Sequence, residues 1–543
     1  MSSSTSNRRG YRLSDGPAHQ RDHAAFGRRD FLRSLGVLGT GSLLLNKLPV
    51  SALGASPLAA ALNGADEDRV LVFIRLKGGN DGLNTFIPVH DFGNYQQLRP
   101  DVHIPRAQTV RLSDDLHMND ALAPLTRLWN DGAMRVVRSV GYPDQNLSHF
   151  RSSDIWATTS DSREYVSSGV LGRYLDDVYP DFLTDPPETP PAIQIGGSGN
   201  LLFNNPDNFN YALSTENPTQ LYNIARSGVL HELEGLPECS YGEQLGYVRA
   251  VANTTFRYAG VLSETYDRGT NSVEYANDRL GDQLALVARL LRGGLGTRLF
   301  VVELDGFDTH ATQPDAHRRL LTSVGENVAA FFADMTDAGQ EDRVLAMTFS
   351  EFGRRIEQNG SMGTDHGAAA PLLVFGKGLN GNGSIGAPPD LNDTDEFGNL
   401  KFEYDFRSVY ATVLSDWLCL GPEATADFMG AEFAPLQELG LQCSSSPVSV
   451  NDQRTTGLPF RAYATSPGTL VAEFELPTAG PVTLHAFDTQ GRRLATLLAE
   501  RMGAGAQVRT VQLSGTARTG GIYILGLEYQ GRLYSAKVSF AGG

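Results

Sequence analysis

Cysteine is scarce in this chain, with three residues in 543: Cys239, Cys419 and Cys443. They show no Cys-x-x-Cys spacing, so a zinc site built on cysteines is not indicated. Cys419 lies in an apolar run and is expected to be packed. Cys239 and Cys443 could pair if the protein is exported, because disulfides persist in oxidising compartments.

Basic residues are also in deficit, with 45 Lys and Arg against 62 Asp and Glu and a formal net charge of −17. Binding to nucleic-acid phosphates needs a basic face, so nucleic acid is disfavoured as a partner. We attribute the negative charge to solubility. The chain is longer than one hydrophobic core usually holds, so two or more domains are expected.

Residues 1–65 have the order of an export signal. A polar segment reaches Arg28 and Arg29, an apolar stretch follows at 35–45, and small residues begin at Ser51. The paired arginines resemble a twin-arginine signal. The apolar stretch is short and glycine-rich for a membrane span. We expect an exported protein, in the periplasm, at the cell surface or outside the cell, with no membrane span in the mature chain.

Strand-like and helix-like segments alternate over residues 66–441, which predicts a doubly wound α/β domain with a mostly parallel sheet. Residues 160–275 look irregular and are interpreted as long insertions between core strands. Helices are predicted at 122–129, after Ser148, at 278–291 and at 314–338. Strands are predicted at 69–76, 134–140, 297–304, 343–349 and 371–376.

Polar side chains follow these strands where each one ends, which is where ligands bind in open α/β sheets. Four loops bring oxygen and nitrogen donors to this edge. Sets of carboxylates and imidazoles suit divalent metal ions such as Zn²⁺, Mn²⁺, Ca²⁺ or Mg²⁺. The candidate metal ligands are Asp81, Asp308, His310, Glu351, Asp365 and His366.

A fifth loop brings Ser148 to the start of a predicted helix. A serine there is commonly a simple N-cap. The same position suits a nucleophile, because a helix N-terminus favours anions and His149 and Arg151 could steady an anionic ester. Ser152 and Ser153 are weaker candidates by position. Paired metal ions can activate a hydroxyl and neutralise a transferring phosphoryl or sulfuryl group.

Five strings of residues together resemble the bacterial DUF1501 family. That family is usually exported by the twin-arginine route and is grouped with the alkaline phosphatase/sulfatase superfamily. The resemblance covers residues 67–435 and implies an alkaline phosphatase-like fold. It also implies a two-metal hydrolase with a serine, threonine or formylglycine nucleophile. The strings are LKGGNDGLNT from Leu76, LSHFRSSDIW from Leu147, GFDTH from Gly306, FSEFGRR from Phe349 and GTDHG from Gly363.

Carried over, the resemblance puts Asp81 and Glu351 on one metal ion with Ser148 bridging. The second ion would be held by Asp308, His310 and His366. Two departures stand out. Phe352 occupies the position of an imidazole ligand in alkaline phosphatases, and the Asp-x-x-x-His spacing of those enzymes is here Asp308-x-His310. No cysteine lies near Ser148, so a cysteine-derived formylglycine is excluded there.

The pattern of apolar and polar residues changes after a polar linker at 442–457. Short alternating segments over 458–543 predict a small β-sandwich. The segment from Ala486 to Ala495, with Gly520–Tyr523, resembles the C-terminal sorting domain of the type IX secretion system. The alternative is a generic immunoglobulin-like or carbohydrate-binding accessory domain. The expected partners are the twin-arginine translocase and the type IX machinery.

Two functions follow from these patterns. The first is an exported metal-dependent hydrolase of phosphate or sulfate esters with a serine nucleophile, acting on a small-molecule or polysaccharide ester. The second is a non-catalytic secreted or cell-surface binding or scaffold protein that keeps the fold. Phe352 favours the second, whereas the retained Asp81, Asp308, His310 and His366 favour the first, which we prefer.

Overall fold

The structure is a computed structural model that describes residues 69–443 and 460–540, apart from 184, 198–199, 216–229, 232–239, 380, 382, 467–468, 488–492, 513–520 and 530–531. The predicted signal region at 1–65 lies outside the described residues, as do 444–457 of the predicted linker and Cys239. Within the described chain, one compact unit ends at Cys443 and a second follows it.

Fourteen strands of the first unit have named bounds in the described residues, and nine of them form its central sheet. They are β1 Val70–Lys77, β2 Phe86–Ile87, β3 Thr109–Arg111, β4 His117–Asn119, β5 Met134–Gly141, β6 Ala192–Ile195, β7 Ala212–Thr215, β8 Leu299–Asp305, β9 Val344–Phe349, β10 Gly353–Gln358, β11 Thr364–Gly367, β12 Ala370–Phe375, β13 Gly383–Ile385 and β14 Tyr404–Asp405.

The central sheet has the order β13-β5-β12-β9-β1-β8-β6-β7, with β14 beside β5. Its paired strands run parallel except around β12, which is antiparallel to both β5 and β9. The predicted α/β class with a mostly parallel sheet is therefore confirmed. The parallel direction predicted for residues 371–376 is wrong, because the chain enters β12 from the tight β10–β11 hairpin rather than through a crossover helix.

Ten α-helices of the first unit have named bounds in the part of the chain that is described. They are α1 Gly82–Thr85, α2 Phe92–Leu98, α3 Thr126–Asn130, α4 His149–Thr158, α5 Val170–Val178, α6 Ser240–Arg268, α7 Arg279–Arg292, α8 Gln313–Asp337, α9 Phe406–Thr412 and α10 Pro422–Met429. None of the described helices has the length and apolarity that crossing a membrane requires.

Helices cover both faces of the sheet, which explains why its strands are apolar on both sides. The strands β1 and β9 are buried almost throughout. Apolar residues of α7 and α8 share a core with Val70, Val72 and Ile74 on one face. On the other face, Tyr410 of α9 packs edge-on against Phe73, with ring centroids 5.7 Å apart.

The region 160–275 is more regular than predicted. It contains α5, the 29-residue helix α6, and the short strands β6 and β7, which extend the central sheet. Four-residue strands are too short to show a clear alternation in sequence, and α6 carries many polar and small residues that blur its helical period. The interpretation of this region as irregular insertions is therefore wrong for these elements.

A disulfide joins Cys419 to Cys443, with their Cα atoms 5.4 Å apart. Cys443 therefore pairs with Cys419 and not with Cys239, a pairing that the sequence had left open. The side chain of Arg69 explains the closeness of the two segments. Its guanidinium donates to the carbonyl oxygen of Trp417 at 3.0 Å and to that of Gln442 at 3.1 Å, so it fixes both stretches of chain next to the cysteines.

The second unit is all-β and consists of two antiparallel sheets, with the orders β15-β16-β19 and β18-β17-β20-β21. Leu470 and Phe474 from the first sheet share one apolar core with Leu484 and Leu525 from the second. The strands are β15 Phe460–Ser466, β16 Thr469–Leu476, β17 Gly480–Phe487, β18 Arg493–Met502, β19 Gly505–Gln512, β20 Gly521–Tyr529 and β21 Arg532–Phe540.

Candidate metal centre

The loops that follow β1, β8 and β9 lie at one edge of the sheet, because these three strands are parallel neighbours. Gly78 lets the first two loops touch. Its φ of 120° lies in the region that favours glycine, and a Cβ atom there would lie 2.3 Å from the backbone nitrogen of Asp308. The N–H of Gly78 donates to Oε1 of Glu351 at 2.9 Å, which ties in the third loop.

Three histidines surround the carboxylate of Asp308. Nε2 of His366 and Nε2 of His310 each lie 3.1 Å from its Oδ1, and these two nitrogens lie 3.0 Å from each other. Nε2 of His149 lies 3.4 Å from Oδ2 of the same carboxylate. The donor atoms of His149, Asp308 and His366 all lie within 4.8 Å of one another, a spacing that could hold a metal ion.

The other ring nitrogen of each histidine also has a partner, and each partner offers an oxygen acceptor. The Nδ1 atoms lie 2.9 Å from Oε1 of Glu351 for His149, 3.0 Å from Oδ1 of Asp365 for His310, and 2.9 Å from the carbonyl oxygen of Leu147 for His366.

These partners decide which nitrogen carries the proton. A carbonyl oxygen only accepts hydrogen bonds, so Nδ1 of His366 must donate to Leu147. A carboxylate oxygen without a proton also only accepts hydrogen bonds, so Glu351 and Asp365, when ionised, impose the same tautomer on His149 and His310. In the neutral state all three rings therefore direct the lone pair of Nε2 toward Asp308.

Two lone pairs at 3.0 Å repel unless a proton or a cation lies between them. Metal-binding histidines in proteins almost always donate their second ring N–H to a carboxylate or carbonyl, as these three do. Three imidazole nitrogens and one carboxylate thus fit a divalent transition-metal ion, with His149, His310, His366 and Asp308 as the residues that could hold it.

The carboxyl group of Asp308 stays ionised at low pH. Burial alone would raise the pKa of its carboxyl group, but the hydrogen bond from Arg354, the contact with His366 and the positive charge of Arg354 lower the pKa to about 2. Nη2 of Arg354 lies 2.7 Å from Oδ1. Asp308 is therefore ionised over the physiological pH range and can act as a metal ligand without first losing a proton.

The histidines differ in their surroundings. The hydrogen bond to Glu351 is the main cause that raises the pKa of His149, whereas burial lowers the pKa of His366. The ring of Phe352 packs against both, with its centroid 4.8 Å from that of His149 and 4.4 Å from that of His366. Phe352 therefore forms an apolar wall beside the two imidazoles.

Of the predicted ligands, the structure brings Asp308, His310 and His366 together. Glu351 and Asp365 lie one step further out, because each contacts a histidine Nδ1 instead of facing Asp308. The side chain of Glu351 is fully buried, and its Oε2 has no hydrogen-bond partner. Both carboxylates are thus placed to orient imidazoles.

Asp81 does not join this group. Its carboxylate is buried and accepts hydrogen bonds from Nη1 of Arg99, at 2.9 and 2.7 Å, and it caps α1 through the backbone of Leu83 and Asn84. Burial would raise the pKa of Asp81, but the charges of Arg99 and His317 and the hydrogen bonds from Arg99 and Gln313 together lower the pKa. Asp81 therefore belongs to a buried ion pair and not to the metal centre, contrary to the prediction. The sequence could not reveal Arg99 as its partner.

Gln313 connects Asp81 to the site and was missed in the sequence. Its Nε2 donates to the carboxylate of Asp81. Its Oε1 accepts from Oγ1 of Thr309 at 3.1 Å and from Oγ1 of Thr364 at 2.6 Å. These threonines directly precede His310 and Asp365, so Gln313 joins the two loops beneath the metal centre.

Ser148 is exposed at the start of α4, and its side chain makes no capping hydrogen bond. Both of its chain neighbours contact the centre, Leu147 through its carbonyl oxygen and His149 through its ring. Ser152 is buried against Tyr142, with its hydroxyl 2.7 Å from the phenol oxygen, and Ser153 accepts a hydrogen bond from Arg75. Ser148 is thus the serine of this helix with a free hydroxyl.

Arg151 faces away from the centre, contrary to the prediction that it steadies an anion there. Its Nη2 donates to the carbonyl oxygens of Asp161, Ser162 and Glu164, and its guanidinium lies 4.3 Å from the ring centroid of Tyr165. It fixes the loop after α4.

Arg354 is the cation next to the metal centre. Besides Asp308, it donates to the carbonyl oxygens of Gly78, Gly79, Phe307 and Thr364. It sits in the FSEFGRR string, but sequence alone did not indicate which of the adjacent arginines points inward. Arg355, the next residue, is exposed.

Residues 261–416 match the model of a family described as "Protein of unknown function (DUF1501)". The predicted resemblance to that family is confirmed for this part of the chain. Among curated proteins, none matches the sequence.

Three bacterial proteins are among the solved structures to which the chain is similar. A Vibrio parahaemolyticus protein of the alkaline phosphatase superfamily has 10% identity and a TM-score of 0.30, covering 83% of this chain and 81% of that one. A Pseudoalteromonas sulfatase has 11% identity and a TM-score of 0.30, covering 83% and 86%. The alkaline phosphatase of the Antarctic bacterium TAB5 has 8% identity and a TM-score of 0.23, covering 57% and 92%. At such scores, the chain's own residues must carry any inference about its chemistry.

Proposed function

We propose that His149, His310, His366 and Asp308 hold one divalent transition-metal ion. The observation that carries this proposal is the convergence of Nε2 atoms on Asp308 while each Nδ1 has its own oxygen acceptor. Imidazole-rich sets suit Zn²⁺ and its neighbours better than Ca²⁺ or Mg²⁺, which prefer oxygen ligands. One ion replaces the two that the superfamily resemblance implies, because Asp81 is held by Arg99.

We further propose that the protein is an exported hydrolase of phosphate or sulfate esters with Ser148 as the nucleophile. A bound cation would supply charge stabilisation for the transferring phosphoryl or sulfuryl group. Ser148 Oγ would bond to phosphorus or sulfur as the ester alcohol leaves, and water would then release the inorganic anion. The exposure of Ser148, its uncapped hydroxyl and its place between Leu147 and His149 support this role.

Metal analysis of the full chain tests the first proposal. After reconstitution with Zn²⁺, Mn²⁺ or Co²⁺ and dialysis, we expect one ion per chain and none in the variant His366→Ala. The matched control is His117→Ala, a half-buried histidine that contacts Thr109 and not the centre. Equal metal content in His366→Ala and the wild type would overturn the ligand set.

Turnover of 4-nitrophenyl phosphate and 4-nitrophenyl sulfate tests the second proposal. Ser148→Ala is expected to keep the metal and lose activity by at least about a thousandfold, as removal of a nucleophile does in other hydrolases. Ser153→Ala, on the same helix, should stay near the wild type. Bound metal without turnover of either ester would instead support the non-catalytic binding or scaffold protein.

A further inference from the structure

A small cavity lies beside the metal centre, between β2, the middle of β5 and the start of β12. Its walls are mostly apolar and include Phe86, Leu116, Pro371 and Leu400. Two arginines, Arg138 and Arg354, also line it. All three guanidinium nitrogens of Arg354 already donate to carbonyl oxygens or to Asp308.

Arg138 is different. It is 4% exposed, and its one hydrogen bond runs from Nη2 to Oδ2 of Asp115 at 3.0 Å. Its Nε is buried and has no acceptor. Buried donors in proteins are nearly always paired, so an unpaired N–H on an arginine that lines a cavity indicates a missing acceptor.

The backbone of β5 next to Arg138 is also unusual. The strand β5 carries one extra residue relative to β12, since Val140 pairs with Ala370 but Val137 pairs with Leu372. Ser139, in this bulge, has a φ of 49°. Bulges change where a strand's side chains point, and a left-handed non-glycine residue is strained and often found at ligand sites.

The two partners of the ion pair between Arg138 and Asp115 differ in solvent exposure. The side chain of Arg138 is 5% exposed, whereas that of Asp115, which also lines the cavity, is 48% exposed. Asp115 therefore neutralises the guanidinium from the solvent side and leaves Nε unsatisfied. An anion that enters the cavity would meet the buried side of the same guanidinium.

We propose that this cavity binds a short aliphatic carboxylate, whose oxygens accept hydrogen bonds from Arg138 while its alkyl group contacts Phe86 and Leu116. The planar guanidinium matches a carboxylate, and apolar walls with one polar anchor are the usual form of a small-molecule site. The small size of the cavity favours a short chain. The site uses no ligand of the metal centre and does not depend on the proposed hydrolase activity.

Isobutyrate is a suitable probe, titrated against the full chain by saturation-transfer NMR in a buffer free of other carboxylates. We expect saturable binding in the millimolar range, at least tenfold tighter than that of isobutyramide, which has the same shape without the charge. Binding that does not saturate, or equal binding of the amide, would overturn the proposal. Competition by inorganic phosphate at equal concentration would also overturn it, because it would show a general anion site.

Two variants move the affinity in opposite directions. Arg138→Met should weaken isobutyrate at least tenfold. Asp115→Asn should tighten it severalfold, because it removes the carboxylate that competes for the guanidinium. Circular dichroism checks that this variant is folded, since buried Arg138 loses its charged partner. Unchanged affinity in Asp115→Asn would count against the site even if Arg138→Met failed to fold. The metal content of Asp115→Asn should equal that of the wild type.

Discussion

The Nε2 atoms of His310 and His366 lie 3.0 Å apart, and both lie 3.1 Å from the same oxygen of Asp308. Two imidazoles do not hold this arrangement as neutral rings in an empty pocket, because their lone pairs face each other. The carboxylate and the outer hydrogen bonds fix the rings in place. The geometry therefore fits a proton or a cation that the two nitrogens share.

Neutralising an outer carboxylate should weaken metal binding without abolishing it. Asp365→Asn and Glu351→Gln are each expected to lower metal affinity about 10- to 100-fold, because their carboxylates orient His310 and His149. Competition with a chromogenic chelator measures the affinity. The control is Asp305→Asn at the exposed end of β8, where the side chain pairs with Lys77. Loss as complete as in His366→Ala would make either carboxylate a direct ligand.

Asp81 should matter for stability rather than for metal binding. In Asp81→Asn the guanidinium of Arg99 stays buried without its charged partner, which costs about 3–5 kcal/mol in comparable pairs. Urea unfolding of the metal-free chain measures this. The matched control, Asp114→Asn, breaks the exposed pair with Arg111 and should cost less than about 1 kcal/mol. Unchanged stability together with lost metal would restore Asp81 to the ligand set.

The central part of the site could be predicted because parallel strands bring their ends to one edge. Asp308 and His310 follow β8 and Glu351 follows β9, so their proximity needed only the strand assignments. The division of roles could not be predicted. Whether Glu351 is a ligand depends on a 2.9 Å contact with His149, which lies 202 residues earlier in the chain.

Elements of the fold could be predicted where the local sequence pattern is strong, but not where they depend on contacts between distant residues. The long apolar strands β1, β8 and β9 and the amphipathic helices α7 and α8 are strongly patterned, and their predicted positions agree with the structure to within a few residues. Four-residue strands and the polar helix α6 carry too little pattern. The direction of β12 depends on the hairpin before it. The partner of Cys443 depends on the hydrogen bonds by which Arg69 holds the segments at Trp417 and Gln442 together.

The disulfide should stabilise the first unit by about 3 kcal/mol, the chain-entropy value for a loop of this size, since 24 residues separate the two cysteines. The double variant Cys419→Ser/Cys443→Ser is therefore expected to unfold at lower urea than the wild type. Reducing agent should shift the wild type to the same midpoint and leave the variant unchanged. Peptide mapping without reduction provides the direct check, and a peptide linking Cys239 to Cys443 would contradict the structure.

Acid should destabilise the protein partly through His317. This ring is 1% exposed and lies 3.0 Å from Oδ1 of Asn80, and burial lowers its pKa from 6.5 to about 4. Between these two values the unfolded chain binds more protons than the folded one. The stabilising contribution of neutral His317 is therefore fully present above pH 6.5. The free energy of unfolding falls as the pH drops toward 4, by up to about 3 kcal/mol from this residue.

The variant His317→Gln removes that titration. Its free energy of unfolding should fall less than that of the wild type between pH 7 and pH 4.5, whatever its stability at pH 7. The control is His90→Gln, an exposed histidine whose replacement should leave the wild-type slope intact. Urea unfolding at several pH values gives both slopes. Parallel curves for His317→Gln and the wild type would contradict the lowered pKa of His317 in the folded protein.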